Sequence, residues 1–437
     1  MKKRMLSLCL CVVLVISAMS QLTASAKTVV GDVDGDGSLT SADVRSAIAY
    51  IASASEENNA KHADFNGDGA ANLTDIRLII KAISENASLS VNPSMKDLAF
   101  NLLKNSYKKG ENTAINVISA ANIISMMADG ASDETAYQFN KILGLADDEN
   151  IYDMLDRYSS KDGFKFSNSV FIRDGFNVNP TYIDNLTNNY NAIINQNEDF
   201  GDNTAKKYSD WLSEKTAGLI TGSVPLFNAN DRMLLANASC FKSAWSNPFS
   251  DELTEDGTFV SSTGESQETK MLVERGGIQL PGNSTAYIFS KSYQGGKYYF
   301  TAIMPRKTED LKTYIDSLTP SMIYRLTNKK LVRTATVKIP AFNISDNVDL
   351  NDTMSKMGVN GESFGNISVD SVGVRSATQK TVFSIDEKGT ASASESQAII
   401  TIGNPDDTVV FNHPFIYMIC DRENDTPLII GTVDSVK

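Results

Sequence analysis

Histidine is nearly missing from this 437-residue chain, which has only His62 and His413. That scarcity excludes a multi-histidine zinc site and leaves almost nothing for a histidine-dependent triad. His413 sits in the turn-like Asn412-His413-Pro414, and His62 flanks an acidic motif. Cysteine is also sparse, at four residues, and Cys9 and Cys11 fall in an N-terminal apolar run. The remaining Cys240 and Cys420 are far apart in apolar, strand-like contexts and read as inert core thiols rather than a bridge. Positive charge is short as well: the formal net charge of −13 argues against nucleic acid or an anionic membrane as partner. Between Lys388 and Arg422 there is no lysine or arginine, and between Phe383 and Asn404 there is no proline.

No run is apolar for long enough to span a bilayer comfortably. Lys2, Lys3 and Arg4 precede a charge-free stretch from Met5 to Ala26, whose strongly apolar part ends at Met19 and whose last residues are Ala24-Ser25-Ala26. A basic start, a short apolar segment and a small-x-small ending predict a secretory signal peptide over residues 1–26, and hence an extracellular protein.

After residue 26 an internal repeat appears. Asp32-Val33-Asp34-Gly35-Asp36-Gly37-Ser38-Leu39-Thr40-Ser41-Ala42-Asp43 returns thirty-two residues later as Asp64-Phe65-Asn66-Gly67-Asp68-Gly69-Ala70-Ala71-Asn72-Leu73-Thr74-Asp75. Calcium is a hard cation that takes six to eight oxygens, and a twelve-residue loop supplies them from positions 1, 3, 5, 7, 9 and 12, with glycine at 6 for the turn. The first loop offers Asp32, Asp34, Asp36, the Ser38 carbonyl, Thr40 and Asp43; the second offers Asp64, Asn66, Asp68, the Ala70 carbonyl, Asn72 and Asp75. Each loop leads into an apolar-periodic stretch, Val44 to Ile51 and Ile76 to Ile83, that predicts a helix. Paired loop-helix repeats of this kind resemble a type I-like dockerin, a small all-α module over residues 27–83. The resemblance implies two calcium ions and a cohesin module of a cellulosome scaffoldin as partner, met through Ser41, Ala42, Leu73 and Thr74. Residues 84–94, rich in serine and asparagine with Pro93, read as a linker.

From Met95 onward helical and strand patterns mix without regular βαβ alternation, which favours an α+β fold. The most informative stretch runs from Thr390. Counting by twos gives Thr390, Ser392, Ser394, Ser396, Ala398, Ile400 and Ile402, small or apolar throughout, while Glu395 and Gln397 fall on the other set. A period of two without proline is what a strand with one buried face needs. On composition alone the same stretch is a flexible linker.

Asp386-Glu387-Lys388-Gly389-Thr390 with this small-residue run, then Phe411-Asn412-His413-Pro414-Phe415, resembles the hinge and reactive-centre loop of a serpin. Further runs carry the resemblance over residues 95–437: Asn112 to Ala136, Asn168-Ser169-Val170-Phe171, Trp211 to Ile220, Leu235 to Phe249, Val337 to Phe342 and Pro427 to Gly431. It implies three β-sheets surrounded by helices with an exposed loop, a monomer, and a suicide inhibitor of serine proteases rather than an enzyme. Glu387, Gly389 and Thr390 would be the hinge. Counting seventeen residues from Glu387, or eight back from Phe411, puts the scissile bond at Gly403-Asn404, with cleavage one residue earlier as the alternative. Asn116, Ser119, Asn237 and Gln379 would hold the region that opens for insertion, the shutter. Asn116-Val117 stands where the family usually has Ser-Pro, and Gln379 where many members have histidine. Without a basic residue in the loop, the implied targets are subtilisin-like or elastase-like. The alternatives are a non-inhibitory serpin and, because dockerins usually carry glycosidases, a carbohydrate-active enzyme.

A module of about sixty residues buries too little surface to be secure alone, so calcium is expected to carry much of its stability. Saturation at a hundred-fold excess over Kd is worth about 2.7 kcal/mol per site. In a thermal melt of the mature chain followed by circular dichroism, a chelator should lower one small transition and leave the large one in place. Superimposable melts with and without calcium would contradict the calcium-loop reading.

Overall fold

Strands of nearly unbroken apolar sequence form the centre of the larger unit. The computed structural model describes residues 33, 41–53, 76, 95–143, 163–279, 285–306, 310–318, 332–360, 363–390 and 407–437. The chain divides into two units, residues 1–91 and 92–437. In the first, helix α1 (Ser41–Ser53) covers the predicted Val44–Ile51 stretch. The stretches read as the second calcium loop, the signal peptide and the linker lie outside the described residues.

In the larger unit a five-stranded antiparallel sheet runs in the order β1-β16-β15-β9-β8. Its strands are β1 (Thr113–Asn116), β8 (Ala286–Ser292), β9 (Tyr298–Pro305), β15 (Phe415–Asp421) and β16 (Thr426–Val433). Every residue of β1, β9, β15 and β16 is buried. A strand covered on both faces needs no polar alternation, which explains runs such as Phe415 to Cys420 and Leu428 to Ile430. Fully burying one such side chain contributes about 1.5–3 kcal/mol.

Helix α2 (Met95–Ser106) presents Met95, Leu98, Ala99, Leu102 and Leu103 at helical spacing to this sheet. Helix α3 (Val117–Gly130) starts directly from β1 and packs against β16 and α2. Helix α4 (Asp133–Leu143) follows it, and α5 (Pro180–Asn188) begins with Asn179 as cap and Pro180 in its first turn. Two short helices, α7 (Leu311–Ser317) and α8 (Leu350–Lys356), lie against α2.

A second sheet has the order β14-β10-β7-β6, from β6 (Glu255–Val260), β7 (Ser266–Gln279), β10 (Val332–Pro340) and β14 (Asp407–Val410), with β14 parallel to β10. The third layer is divided. One half is β3-β2-β4, made of β3 (Ile193–Glu198), β2 (Phe164–Arg173) and β4 (Met233–Phe241). The other is the pair β11 (Phe342–Asp349) and β12 (Thr378–Ile385). At one end β5 (Ser243–Ala244) pairs with β13 (Gly389–Thr390). Among the described residues no ladder joins β4 to β12. Helix α6 (Asp202–Lys215) lies over the division, where its Leu212 clusters with Ile220 and with Ala238 of β4, and Val382 of β12 packs against that cluster.

Cys240 and Cys420 are buried and unbridged. Trp245 and Phe415 are core anchors, at 3% and 0% exposure, whereas Trp211 is only partly buried and its enclosed indole N–H meets no acceptor. The turn at Pro414 leads straight into β15. Pro248-Phe249 does not lead directly into a strand: Phe249 sets its ring edge-on to Trp245 at 5.9 Å, and the next strand begins at Glu255.

Gly431 in β16 shows how tightly the central sheet is closed. A Cβ there would lie 2.0 Å from the Thr113 carbonyl oxygen and 2.6 Å from the Tyr417 hydroxyl. Gly431→Ala is therefore expected to destabilise the larger unit by at least about 3 kcal/mol or to prevent folding. Denaturant titration of the purified variant checks this, and a loss below about 1 kcal/mol would contradict it.

Candidate functional site

The division between β4 and β12 is bridged at three levels. At the upper end, Asp386 closes a turn: its Oδ1 accepts the backbone N–H groups of Lys388 at 2.8 Å and Gly389 at 2.9 Å. Gly389 has φ +154°, a conformation that side-chain-bearing residues rarely adopt, so glycine belongs there. Trp245 then fastens the turn, its backbone N–H donating to the Lys388 carbonyl at 3.0 Å and its indole N–H to the Asp386 carbonyl at 2.9 Å. The Phe249 N–H reaches the Glu387 carbonyl at 2.9 Å.

Past this turn Thr390 enters the protein interior. It is 2% exposed, lies opposite Ser243, and its hydroxyl is 2.6 Å from the Tyr293 hydroxyl. Tyr293 stacks on Trp245 at 4.4 Å, and burial pushes its phenol far above the usual range. Lys291 is buried beside them, with Nζ 2.5 Å from Glu274 and 4.3 Å above the Phe249 ring. Burial pulls the Lys291 ammonium down, and Glu274 opposes that shift.

The middle bridge is built from amides. Asn116 ends β1 and caps α3, its Oδ1 accepting the Ser119 N–H at 3.0 Å and its Nδ2 donating to Ser239 on β4 at 2.9 Å. Gln379 on β12 grips the Asn116 backbone twice: Oε1 accepts its N–H at 3.1 Å and Nε2 donates to its carbonyl at 2.8 Å. The Ser119 hydroxyl donates to Asn237 at 2.5 Å, and Asn237 donates on to Asn168 of β2 at 2.8 Å. One connected network thus runs from β12 beneath the division to β4 and β2. Above it a small cleft is lined by Ser239 and Cys240 on one side and Lys380 to Phe383 on the other, with Asn116 at its floor.

At the lower end Arg375, three residues before β12, makes a two-pronged ion pair with Asp231, two residues before β4, at 2.7 and 2.9 Å.

The structure thus brings Asn116, Ser119, Asn237 and Gln379 into one network and sets Glu387, Gly389 and Thr390 at the upper end of the same division. Gly403 and Asn404 lie outside the described residues, between the anchors β13 and β14. Of the calcium-loop residues Asp43 is described: it is fully buried, and its Oδ1 accepts the Val33 N–H at 2.8 Å. A buried carboxyl side chain at the closing position of the acidic sequence repeat fits a site for a hard cation. Asp32, Asp34, Asp36, Ser38, Thr40, Asp64, Asn66, Asp68, Ala70, Asn72 and Asp75 lie outside the described residues, as do Leu73 and Thr74. Ser41 and Ala42 open α1. Asn168, Ser239, Tyr293, Asp231 and Arg375 were missed by sequence reasoning. Nothing in their local sequence marks them, because each acts through a partner far along the chain.

Sheets flanked by helices, with one layer divided and the Asp386–Thr390 segment at its open end, make up the larger unit. Residues 93–436 match the serpin (serine protease inhibitor) family model, and the chain belongs to that family. Residues 30–84 match the dockerin type I domain, a calcium-binding module that implies a cellulosome setting. The native-state crystal structure of the thermophilic serpin tengpin is similar at 26% identity and TM-score 0.69, covering 78% of this chain and 93% of that one. Alpha-1-antitrypsin of Meriones unguiculatus is 24% identical over 78% of this chain and 89% of its own length. Leukocyte elastase inhibitor A of Mus musculus is 24% identical over 72% of this chain and 91% of its own. Among the described residues no helix is long and apolar enough to cross a membrane.

Asn116→Ala removes both the cap of α3 and the reach to Ser239, so a loss of roughly 2 kcal/mol is expected in denaturant unfolding of the uncleaved protein. A loss below about 0.5 kcal/mol would mean that the network does not hold the division closed.

Proposed function

We propose that this chain is a secreted suicide inhibitor of serine proteases, held on a cellulosome by its dockerin. The observation that carries the reading is Thr390, already buried opposite Ser243 at the head of a division with no ladder across it among the described residues. If the chain continued from Thr390 as a strand, the small and apolar residues 392, 394, 396, 398, 400 and 402 would share its face by the period of two, and a strand entering between β4 and β12 would carry no charge on its buried side.

The protease supplies the nucleophile, which attacks the carbonyl of Gly403. The Gly403-Asn404 bond breaks, the residue 404 amine leaves with the C-terminal peptide, and an acyl-enzyme ester remains. Freed at that end, the loop continues the Thr390 strand between β4 and β12. Each ladder hydrogen bond contributes about 1 kcal/mol net, so a strand of a dozen residues gains on the order of 10 kcal/mol, enough to distort the tethered protease before water deacylates it.

A loop without lysine or arginine, with Ile400 and Ile402 before Gly403, suits a subtilisin-like or elastase-like subsite. One relative, leukocyte elastase inhibitor A, is named for an elastase. Ser41, Ala42, Leu73 and Thr74 would face the cohesin, and the two acidic loops would each hold one calcium ion.

Incubating the mature chain with a subtilisin-like and an elastase-like protease is expected to give a complex that survives denaturing electrophoresis, plus a released peptide beginning at Asn404. Thr390→Arg should leave cleavage intact and abolish the complex. Clean cleavage of the natural sequence without complex, across a wider protease panel, would instead make the chain a non-inhibitory cellulosome component.

A further inference from the structure

The ion pair at the lower end of the division has features of a device rather than an ordinary surface contact. Asp231 Oδ1 and Oδ2 each receive one guanidinium N–H of Arg375, and the Arg375 NH2 group also donates to the Leu226 carbonyl at 3.0 Å. The Asp231 side chain is only 11% exposed, which sets this pair apart from fully solvated ones. Burial pushes the Asp231 carboxyl up, and hydrogen bonds from Arg375 and the Asn228 N–H outweigh that, holding it below the usual carboxylate range. Asp231 is itself fixed to the other half of the layer. Arg173, the last residue of β2, donates to the Asp231 carbonyl at 2.5 Å and to the Asn228 carbonyl at 2.8 Å. Arg375 therefore ties the segment before β12 to a segment that β2 already holds.

Register places this tie at the end of the insertion path. Gly389 lies opposite Ala244 and Thr390 opposite Ser243. Carried on without a bulge, that antiparallel register sets residue 402 opposite Asp231, next to the expected scissile bond. A strand that fills the division down to this point would have β4 and β12 as neighbours about 4.8 Å away on either side, two inter-strand spacings apart. Direct hydrogen bonds of 2.7, 2.9 and 3.0 Å across the division cannot all survive with a strand seated between their partners.

We propose that the Arg375–Asp231 pair is a latch across the far end of the divided sheet, which must open for the last residues of the loop to insert. The inference rests on the insertion reading above. The latch stabilises the uncleaved form, is absent from the fully inserted form, and so slows the final part of insertion without contributing to its end state. Arg375 acts as a positioning residue through β12.

The test uses the mature full-length chain, cleaved in its loop by a non-specific protease, so no particular target enzyme is needed. Insertion is followed as the rise in melting temperature with time. Arg375→Gln and Asp231→Asn are each expected to speed insertion about five-fold, and Arg375→Lys, which keeps the charge but not the two-pronged geometry, by less. The melting temperature of the uncleaved form should fall while that of the inserted form stays unchanged, and the exchange Asp231→Arg with Arg375→Asp should restore the slow rate. Unchanged insertion rates, or equal falls in both melting temperatures, would overturn the latch and leave an ordinary structural pair. If the natural sequence shows no rise in melting temperature after cleavage, the insertion reading itself fails, and the latch with it.

Discussion

The larger unit depends on one constraint: β4 and β12 face each other without a shared ladder among the described residues. Backbone N–H and C=O groups along two such edges retain bonding capacity that a third strand would use. The sheet of β1, β16, β15, β9 and β8 is packed to the point that Gly431 has no room for a methyl group. A rigid centre beneath a divided layer concentrates conformational freedom in one place. Side chains, rather than backbone, then decide whether that place stays shut.

Those side chains are unlike one another. The upper bridge is aromatic and backbone-based, with Trp245 holding the Asp386–Gly389 turn and Tyr293 meeting Thr390. The middle bridge is amide, and amides have no proton to gain or lose between pH 5 and 8. Gln379 therefore holds Asn116 in one charge state where a histidine would titrate. Asn116 replaces the serine of the family's usual Ser-Pro pair, and the structure shows what it adds: it caps α3 as a serine could, and its extra amide nitrogen reaches Ser239. The lower bridge is ionic and solvent-facing on its Arg375 side, where the side chain is 53% exposed.

Much of the fold was legible in the chain. The apolar residues from Met95 to Leu103 stand at the helical spacing that α2 shows, and the Asp-rich repeats marked the calcium-binding module that the dockerin family model matches. These signals are legible because each rests on periodicity or spacing within about a dozen residues.

By itself the sequence determined which segments had the periodicity of strands or helices, which residues from 390 to 402 alternate small with polar, and which oxygens could surround a cation. Only the tertiary structure decided which polar groups meet. Thr390 and Tyr293 are 97 positions apart, Asp231 and Arg375 144, and Asn116 and Gln379 263. Local pattern is written by neighbours along the chain, but a hydrogen bond between two strands depends on the packing of every element that separates them.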